Sequence, residues 1–581
     1  MFVMKPLMNP IEKRVVLSEV ALGNIPPDAV ITKGVLFNVF TGEFLRRQSL
    51  WIKEGMIAYV GPDHNPPRGK DTEVIDADGM VLLPGLIDSH THAVSARYGP
   101  EEFIKHLIPT GVTTVITETI ELAAVVGKDG IEYLVRGMEG QPIRLYYTLA
   151  PLCGLTPAEE ARALTKEEIF SFLKDPKCLG IGEIYWSNLF LKGRQGERLW
   201  EYISMAFEMG KVIEGHTAGA SGKKLQAYTD FGISSCHEPI TEEEVLERLR
   251  IGYWVMIREG SIRSELEGVK GIFKKKIDFR RLILATDSVY PDDLLEKGYL
   301  DSGLKKMMKL GVPAHRAFQM VTINVAEHFG IDHIIGSLSP GRMADLLIIP
   351  SKKEFSPRLI MCNGKIIYRD GQSLVEPKKI FFPDDMFDTV RIHDFTFPAV
   401  PKKGKVRVME LVTRLVTKER IVDLEDPEES KDIIMVLALD RLGSGSAFMG
   451  LLKGFGLQRG AFATTMVWDM GDMIIVGCDL HSMQTAIERL KEIRGGCVYA
   501  IGSQVSSEFA APLCGILSLK PMEVLREGIK KMNDVLKENG VKLENPTLTI
   551  DVFGTPAIPH LRITHNGYVR LKDREILSVE V

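Results

Sequence analysis

At 581 residues the chain exceeds what one compact core accommodates, which excludes a lone small module and favours a barrel-sized unit plus at least one further domain. With 45% hydrophobic and 26% charged residues and no long biased tract, it is expected to fold throughout. A formal net charge of -5 argues against a general nucleic-acid or anionic-membrane partner.

From about residue 28 to 84, short runs such as Val35-Leu36-Phe37-Asn38-Val39, Ser49-Leu50-Trp51-Ile52 and Met56-Ile57-Ala58-Tyr59-Val60 are separated by turn residues, the signature of strands and hairpins. The same texture returns at Ala344-Asp345-Leu346-Leu347-Ile348-Ile349 and over residues 359–367. Two β-rich stretches around a long central segment predict one small split β-sandwich interrupted by an insertion.

Inside the insertion, apolar runs alternate with helix-length amphipathic stretches, as successive βα units do. The runs cover residues 80–86, 113–116, 143–150, 179–184, 211–214, 233–236, 253–257 and 281–285. Eight such units predict a closed (β/α)8 barrel, an α/β fold, with an open doubly wound sheet as the runner-up. Phe397-Pro398-Ala399-Val400-Pro401-Lys402-Lys403-Gly404 reads as a linker, and the strands and helices beyond it predict a C-terminal α/β domain. The expected boundaries are 1–84 and 331–397 for the sandwich, 85–330 for the barrel and 404–581 for the last domain. Seven cysteines in odd number without a CxxC pair read as free thiols. The opening residues lack the apolar core of a signal peptide, and no later apolar run spans a bilayer uninterrupted, so a cytoplasmic location without membrane association is expected.

His90 and His92 end the first barrel strand, where residues i and i+2 share a side and both imidazoles face one point. A lone His-x-His is a common accident. Here, however, Glu183 ends the fourth run, His216 the fifth, His237 the sixth and Asp287 the eighth, each at the strand end where barrel enzymes keep their active sites. Four imidazoles and two carboxylates without thiolate suit manganese, iron, zinc or cobalt. A two-ion centre is the economical reading, with Glu183 as bridge, His90, His92 and Asp287 on one ion, and His216 and His237 on the other. Such a pair generates hydroxide at neutral pH and polarises the electrophile it attacks. Asp287, beside that hydroxide, is the natural proton shuttle, and with Glu183 forms the expected catalytic pair.

Pro84-Gly85-Leu86-Ile87-Asp88-Ser89-His90-Thr91-His92, Gly182-Glu183, Gly215-His216-Thr217-Ala218-Gly219, Cys236-His237-Glu238 and Pro340-Gly341-Arg342-Met343-Ala344-Asp345-Leu346 resemble the amidohydrolase superfamily. With Lys453-Gly454-Phe455-Gly456-Leu457-Gln458-Arg459-Gly460, the resemblance extends over nearly the whole chain to the adenine deaminase family of bacteria and archaea. It implies hydrolytic deamination of adenine to hypoxanthine, a manganese or iron pair with zinc as an accepted substitute, and a homo-oligomer acting on a small molecule. Under it, Glu238, Arg258 and Glu259 become candidates for reading the purine edge, with a salt-bridged rim as the alternative.

Several positions depart from the family pattern. Ala93-Val94-Ser95-Ala96 lacks a carboxylate at Val94, and Glu118-Thr119-Ile120-Glu121 loses an imidazole at Ile120 while keeping Glu121 as a candidate substrate contact. Ser288 and Tyr290 replace an Asp and a His, and Trp468-Asp469-Met470-Gly471-Asp472 lacks two histidines, at Trp468 and Gly471. A missing hydrogen-bond partner alters discrimination by orders of magnitude. The alternatives are therefore a related amidohydrolase acting on another aminopurine, pterin or cyclic amide, and a non-catalytic metal- and ligand-binding barrel.

Overall fold

The computed structural model describes residues 11–62, 68–93, 97–151, 154–393 and 395–581. Its centre is a ring of eight strands: β1 (Leu86–Thr91), β2 (Val112–Thr117), β3 (Arg144–Leu149), β4 (Cys178–Tyr185), β5 (Val212–His216), β6 (Ser235–Cys236), β7 (Trp254–Arg258) and β8 (Leu282–Ala285). β1 to β5 pair in parallel order, and so do β6 to β8. The Ser234 N–H donates to the Ile213 carbonyl at 3.5 Å, and the Asp287 N–H donates to that of His90 at 3.0 Å, so the ring closes at both seams. These strands read as unbroken apolar runs because both faces are covered. Ile87, Ile116, Tyr146, Leu179, Met256 and Ile283 fill the interior with Val325 and Phe329, while Leu86, Val115, Leu145, Ile181 and Val255 belong to the larger surrounding core.

The run at 80–86 is two elements rather than one. Val81–Pro84 lies in a nine-stranded sheet, between Ala29–Phe37 and Leu346–Ile349, and β1 begins after Gly85. That sheet draws strands from both sides of the barrel. Val81, Leu83, Leu347 and Ile349 pack toward the main core, whereas Leu82, Leu346 and Ile348 form a separate cluster with Ile31, Leu50 and Ile52. The strict alternation follows from the two-residue period of a strand.

Beyond the linker, an eight-stranded sheet carries the helix Leu480–Glu492 on one face. Asp479 caps that helix by accepting the Ser482 N–H at 2.7 Å, and Met483, Ile487 and Leu490 pack on Leu437, Leu439 and Ile475. The opposite face, through Val436, Phe462 and Ile474, shares a core with the helix Met522–Glu538 and the barrel side. Buried polar contacts also cross this boundary: Arg97 pairs with Asp551, and Arg162 grips both oxygens of Asp440 at 2.9 and 2.8 Å. The described cysteines are free thiols, and Cys153 lies outside the described residues. Among the described residues, no helix is long and apolar enough to cross a membrane.

Candidate metal centre

Each of the six predicted ligands stands within two residues of the C-terminal end of a barrel strand, and all are buried. His90 Nε2 is 3.4 Å and His92 Nε2 3.5 Å from Asp287 Oδ1. On the other side of the barrel mouth, His237 Nε2 lies 3.1 Å and His216 Nε2 4.0 Å from Glu183 Oε2. The other oxygen of Glu183, Oε1, is 3.4 Å from His92 Nε2, so this carboxylate reaches both groups of imidazoles. The His90 and His237 rings stack at 4.1 Å between centroids.

Donor atoms of His90, His92 and Asp287 lie within 4.8 Å of one another, and the same holds for His90, Glu183 and His237 and for His216, His237 and Glu238. The last group differs from the sequence expectation. Glu238 lines the cavity over the cluster, and its Oε1 also sits 3.4 Å from both His216 Nε2 and His237 Nε2, where it could join the ligands. Buried polar atoms without hydrogen-bond partners normally carry a penalty. His90 Nε2 and Glu183 Oε2 are two such atoms, and their nitrogen and oxygen donors fit a borderline divalent ion. The nearby Cys236 thiol is turned away, against the Thr217 hydroxyl at 2.6 Å.

Carboxylates behind the imidazoles hold them in place. Glu121 Oε1 faces His92 Nδ1 at 3.0 Å, and Glu118 Oε1 faces His90 Nδ1 at 3.6 Å. Glu121 therefore touches a candidate ligand through Oε1, while it also lines the cavity over the cluster and its Oε2 has no hydrogen-bond partner. Glu118 follows directly on β2, and that position, with its place at the head of Glu118-Thr119-Ile120-Glu121, was its sequence signal. Burial pushes Glu118 up to about 8, while the Thr148 hydroxyl donates to it at 2.5 Å. Burial also opposes ionisation of Glu183 and Asp287, yet surrounding imidazoles, joined at Asp287 by Arg258, hold both carboxyls well below the usual range. His92 goes the other way: burial lowers it, and Glu121 and Glu183 raise it well above an ordinary imidazole.

Arg258 is fully engaged. Its guanidinium makes a two-pronged contact with Glu265 at 3.0 and 2.8 Å, reaches Asp287 Oδ2 at 3.0 Å and pairs with Glu238. Glu259 is not brought to the site, because it turns outward to Lys306 Nζ at 2.6 Å.

A cavity of about 220 Å³ opens over the cluster, and its roof comes from the last domain, through Leu415, Val416, Trp468, Asp469, Ile558 and Pro559. Tyr185 Oη donates to Asp469 Oδ2 at 3.1 Å across the domain boundary. Burial, with the nearby Glu121 carboxylate, lifts Asp469 to about 7. A wider space of about 800 Å³ adjoins through Tyr185, His216 and Gly219 and is lined by Trp186, Lys224, Lys418 and Lys572.

Of the described positions that depart from the family pattern, only Trp468 lines the small cavity. Ile120 packs with Ala124, Ala150 and Tyr185, and Tyr290 lies under the Arg97 guanidinium at 5.3 Å. The Ser288 hydroxyl donates to the His92 carbonyl at 3.2 Å, and Gly471 abuts the Leu442 side chain. Val94 lies outside the described residues.

Residues 81–367 match the model of the amidohydrolase family, and residues 410–575 that of the adenine deaminase C-terminal domain. An adenine deaminase of Clostridium botulinum (strain 657 / Type Ba4) is 31% identical over 97% of this chain and 97% of its own length. One from Moorella thermoacetica is 32% identical, covering 95% of this chain and 96% of its own. A third, from Cenarchaeum symbiosum, is 30% identical over 99% of this chain and 96% of its own.

Proposed function

The chain belongs to the adenine deaminase family of amidohydrolases, metal-dependent hydrolases of C–N bonds, and from that premise we propose that it converts adenine and water to hypoxanthine and ammonia. The observation that carries this reading is Glu183, whose two oxygens face His92 on one side and His237 on the other, beneath a cavity sized for a small heterocycle. His90, His92 and Asp287 would hold one divalent ion and His216 and His237 the other, with Glu183 between them. Manganese or iron is the proposed pair, and zinc suits the same donors. When bound, such a pair supplies an acidified water and a positive field at the reacting carbon.

The chain's own groups supply the rest. Asp287, kept ionised by its neighbours, accepts a proton from the attacking water and returns it to the departing amine. Arg258 holds Asp287 and Glu238 in position, which leaves the purine edge to other groups on the roof. Asp469, whose Oδ2 accepts from Tyr185 and Thr555 at the roof of the cavity, would meet a ring nitrogen through its other oxygen. Trp468 excludes water and offers a flat face to the base. A homo-oligomer acting in the cytoplasm completes the reading, and light scattering tests the assembly.

Ammonia release from adenine by manganese- or iron-reconstituted protein, beside a His90→Ala control, tests the function. Turnover that disappears in the control, together with lost metal, is the expected result. Silence on adenine with metal bound would favour a second reading, another aminopurine, pterin or cyclic amide, which Trp468 supports as the one described departure from the family pattern that faces the cavity.

A further inference from the structure

Three side chains that the barrel chemistry does not use converge where the barrel meets the C-terminal sheet. Glu159 lies in the short helix Pro157–Glu160 beyond β3, Asp472 opens the strand Asp472–Gly477, and His565 follows the strand Leu561–Thr564. One donor atom from each lies within 4.8 Å of the others. All three are buried, with Glu159 8%, Asp472 0% and His565 3% exposed.

Their hydrogen bonds do not balance their charge. Asp472 Oδ1 accepts from His565 Nδ1 at 2.7 Å, and Oδ2 accepts from the backbone N–H of the same residue at 2.8 Å. Glu159 Oε2 accepts the N–H groups of Leu155 at 2.6 Å and Thr156 at 3.1 Å, but its Oε1 is buried with no hydrogen-bond partner. Two carboxylates thus face one imidazole. The guanidinium of Arg162, which gives two hydrogen bonds to Asp440, and that of buried Arg441 both act on Asp472 through space, and Arg162 also acts on Glu159, but neither meets Glu159 Oε1 with a hydrogen bond. A buried carboxylate oxygen without a direct partner is costly, and Glu159 Oε1 calls for a cation or a proton within bonding reach.

We infer that Glu159, Asp472 and His565 hold a structural divalent cation of the zinc class, which ties the loop after β3 to the C-terminal domain. One nitrogen and two oxygen donors suit zinc, and a water would complete a tetrahedron. Ligand distances of about 2.0–2.2 Å require Glu159 to close on the site while the imidazole gives up its bond to Asp472 and the two move apart to admit the ion. The competing occupant is a proton: burial and the Asp472 charge push Glu159 to about 7, so near neutrality a protonated Glu159 would also relieve the repulsion.

Metal analysis of the full chain separates the two. The protein is loaded with Zn²⁺, desalted and measured for zinc per chain beside Glu159→Gln. Gln keeps an oxygen for the two N–H groups it caps while losing the charge. One equivalent fewer in the variant, with turnover at the barrel centre unchanged, is expected; equal zinc in both proteins overturns the site. Should the variant fail to fold, crystals of the unaltered zinc-loaded chain decide the question. An anomalous peak at the zinc edge among Glu159, Asp472 and His565 supports the inference, and its absence when the barrel ligands are occupied overturns it.

Discussion

Glu121 and Glu259 illustrate how far a side chain's role depends on its direction. Glu121 faces Nδ1 of His92, so that Nε2 is left toward Glu183 and Asp287. Carboxylates in this position fix the tautomer and orientation of a metal-binding imidazole, and their loss typically weakens metal binding by about 10–100-fold. Glu121→Gln is therefore expected to raise the metal dissociation constant of the apo-protein by about that factor, with turnover restored by excess metal. A titration showing unchanged affinity would remove that role. The sequence marked Glu121 as a polar survivor of the family pattern but carried no sign of whether it met substrate or ligand. Arg258 and Glu259 are separable by strand geometry alone. Neighbours at a strand end point to opposite sides, so both cannot face the cavity, and Arg258 is the one that does.

At the scale of elements, strand order was written in the apolar runs, and the placement of six polar residues at strand ends was visible with it. The break inside residues 80–86 was not, because Val81–Pro84 and β1 are each covered on both faces and so read as one continuous run. Glycines reveal how closely the barrel strands are fitted. A Cβ on Gly215 would lie 2.7 Å from the Ser235 carbonyl and 2.5 Å from Ile233 Cγ2, so β5 must shift to accept one. Gly215→Ala is predicted to cost about 1–3 kcal/mol through overpacking. Thermal unfolding reads the loss of stability, and because His216 is the next residue, metal content should fall in the same variant. A melting temperature equal to that of the unaltered chain would show that the strand gives way freely.

Across the whole molecule, the last domain is fastened to the barrel by charges as well as by apolar contact. Burial would push Asp440 up, but Arg162 and the N–H groups of Ser444 and Leu442 outweigh it and hold the carboxyl well below the ordinary range. A carboxyl depressed in the folded state adds stability above its unfolded value of about 3.9 and loses it as the pH falls toward the lower folded value. Asp440→Asn should thus melt earlier than the unaltered chain near neutrality, and the gap should begin to narrow below about pH 4 and shrink further with each step down in pH. A gap that stays constant from neutrality to pH 3 would assign the effect to packing instead. No one-dimensional pattern announced this junction. Trp468 and Asp469 are far along the chain from His90, and only the packed sheet brings them over the barrel mouth.

That arrangement divides responsibility within a single chamber. The floor, which holds the reactive groups, is written in the barrel strands, while most of the ceiling comes from three short stretches around residues 415–416, 468–469 and 557–559. A lineage can therefore revise what it accepts by editing the ceiling while every donor on the floor stays in place, and a library confined to those seven positions would retrace such a change in the laboratory.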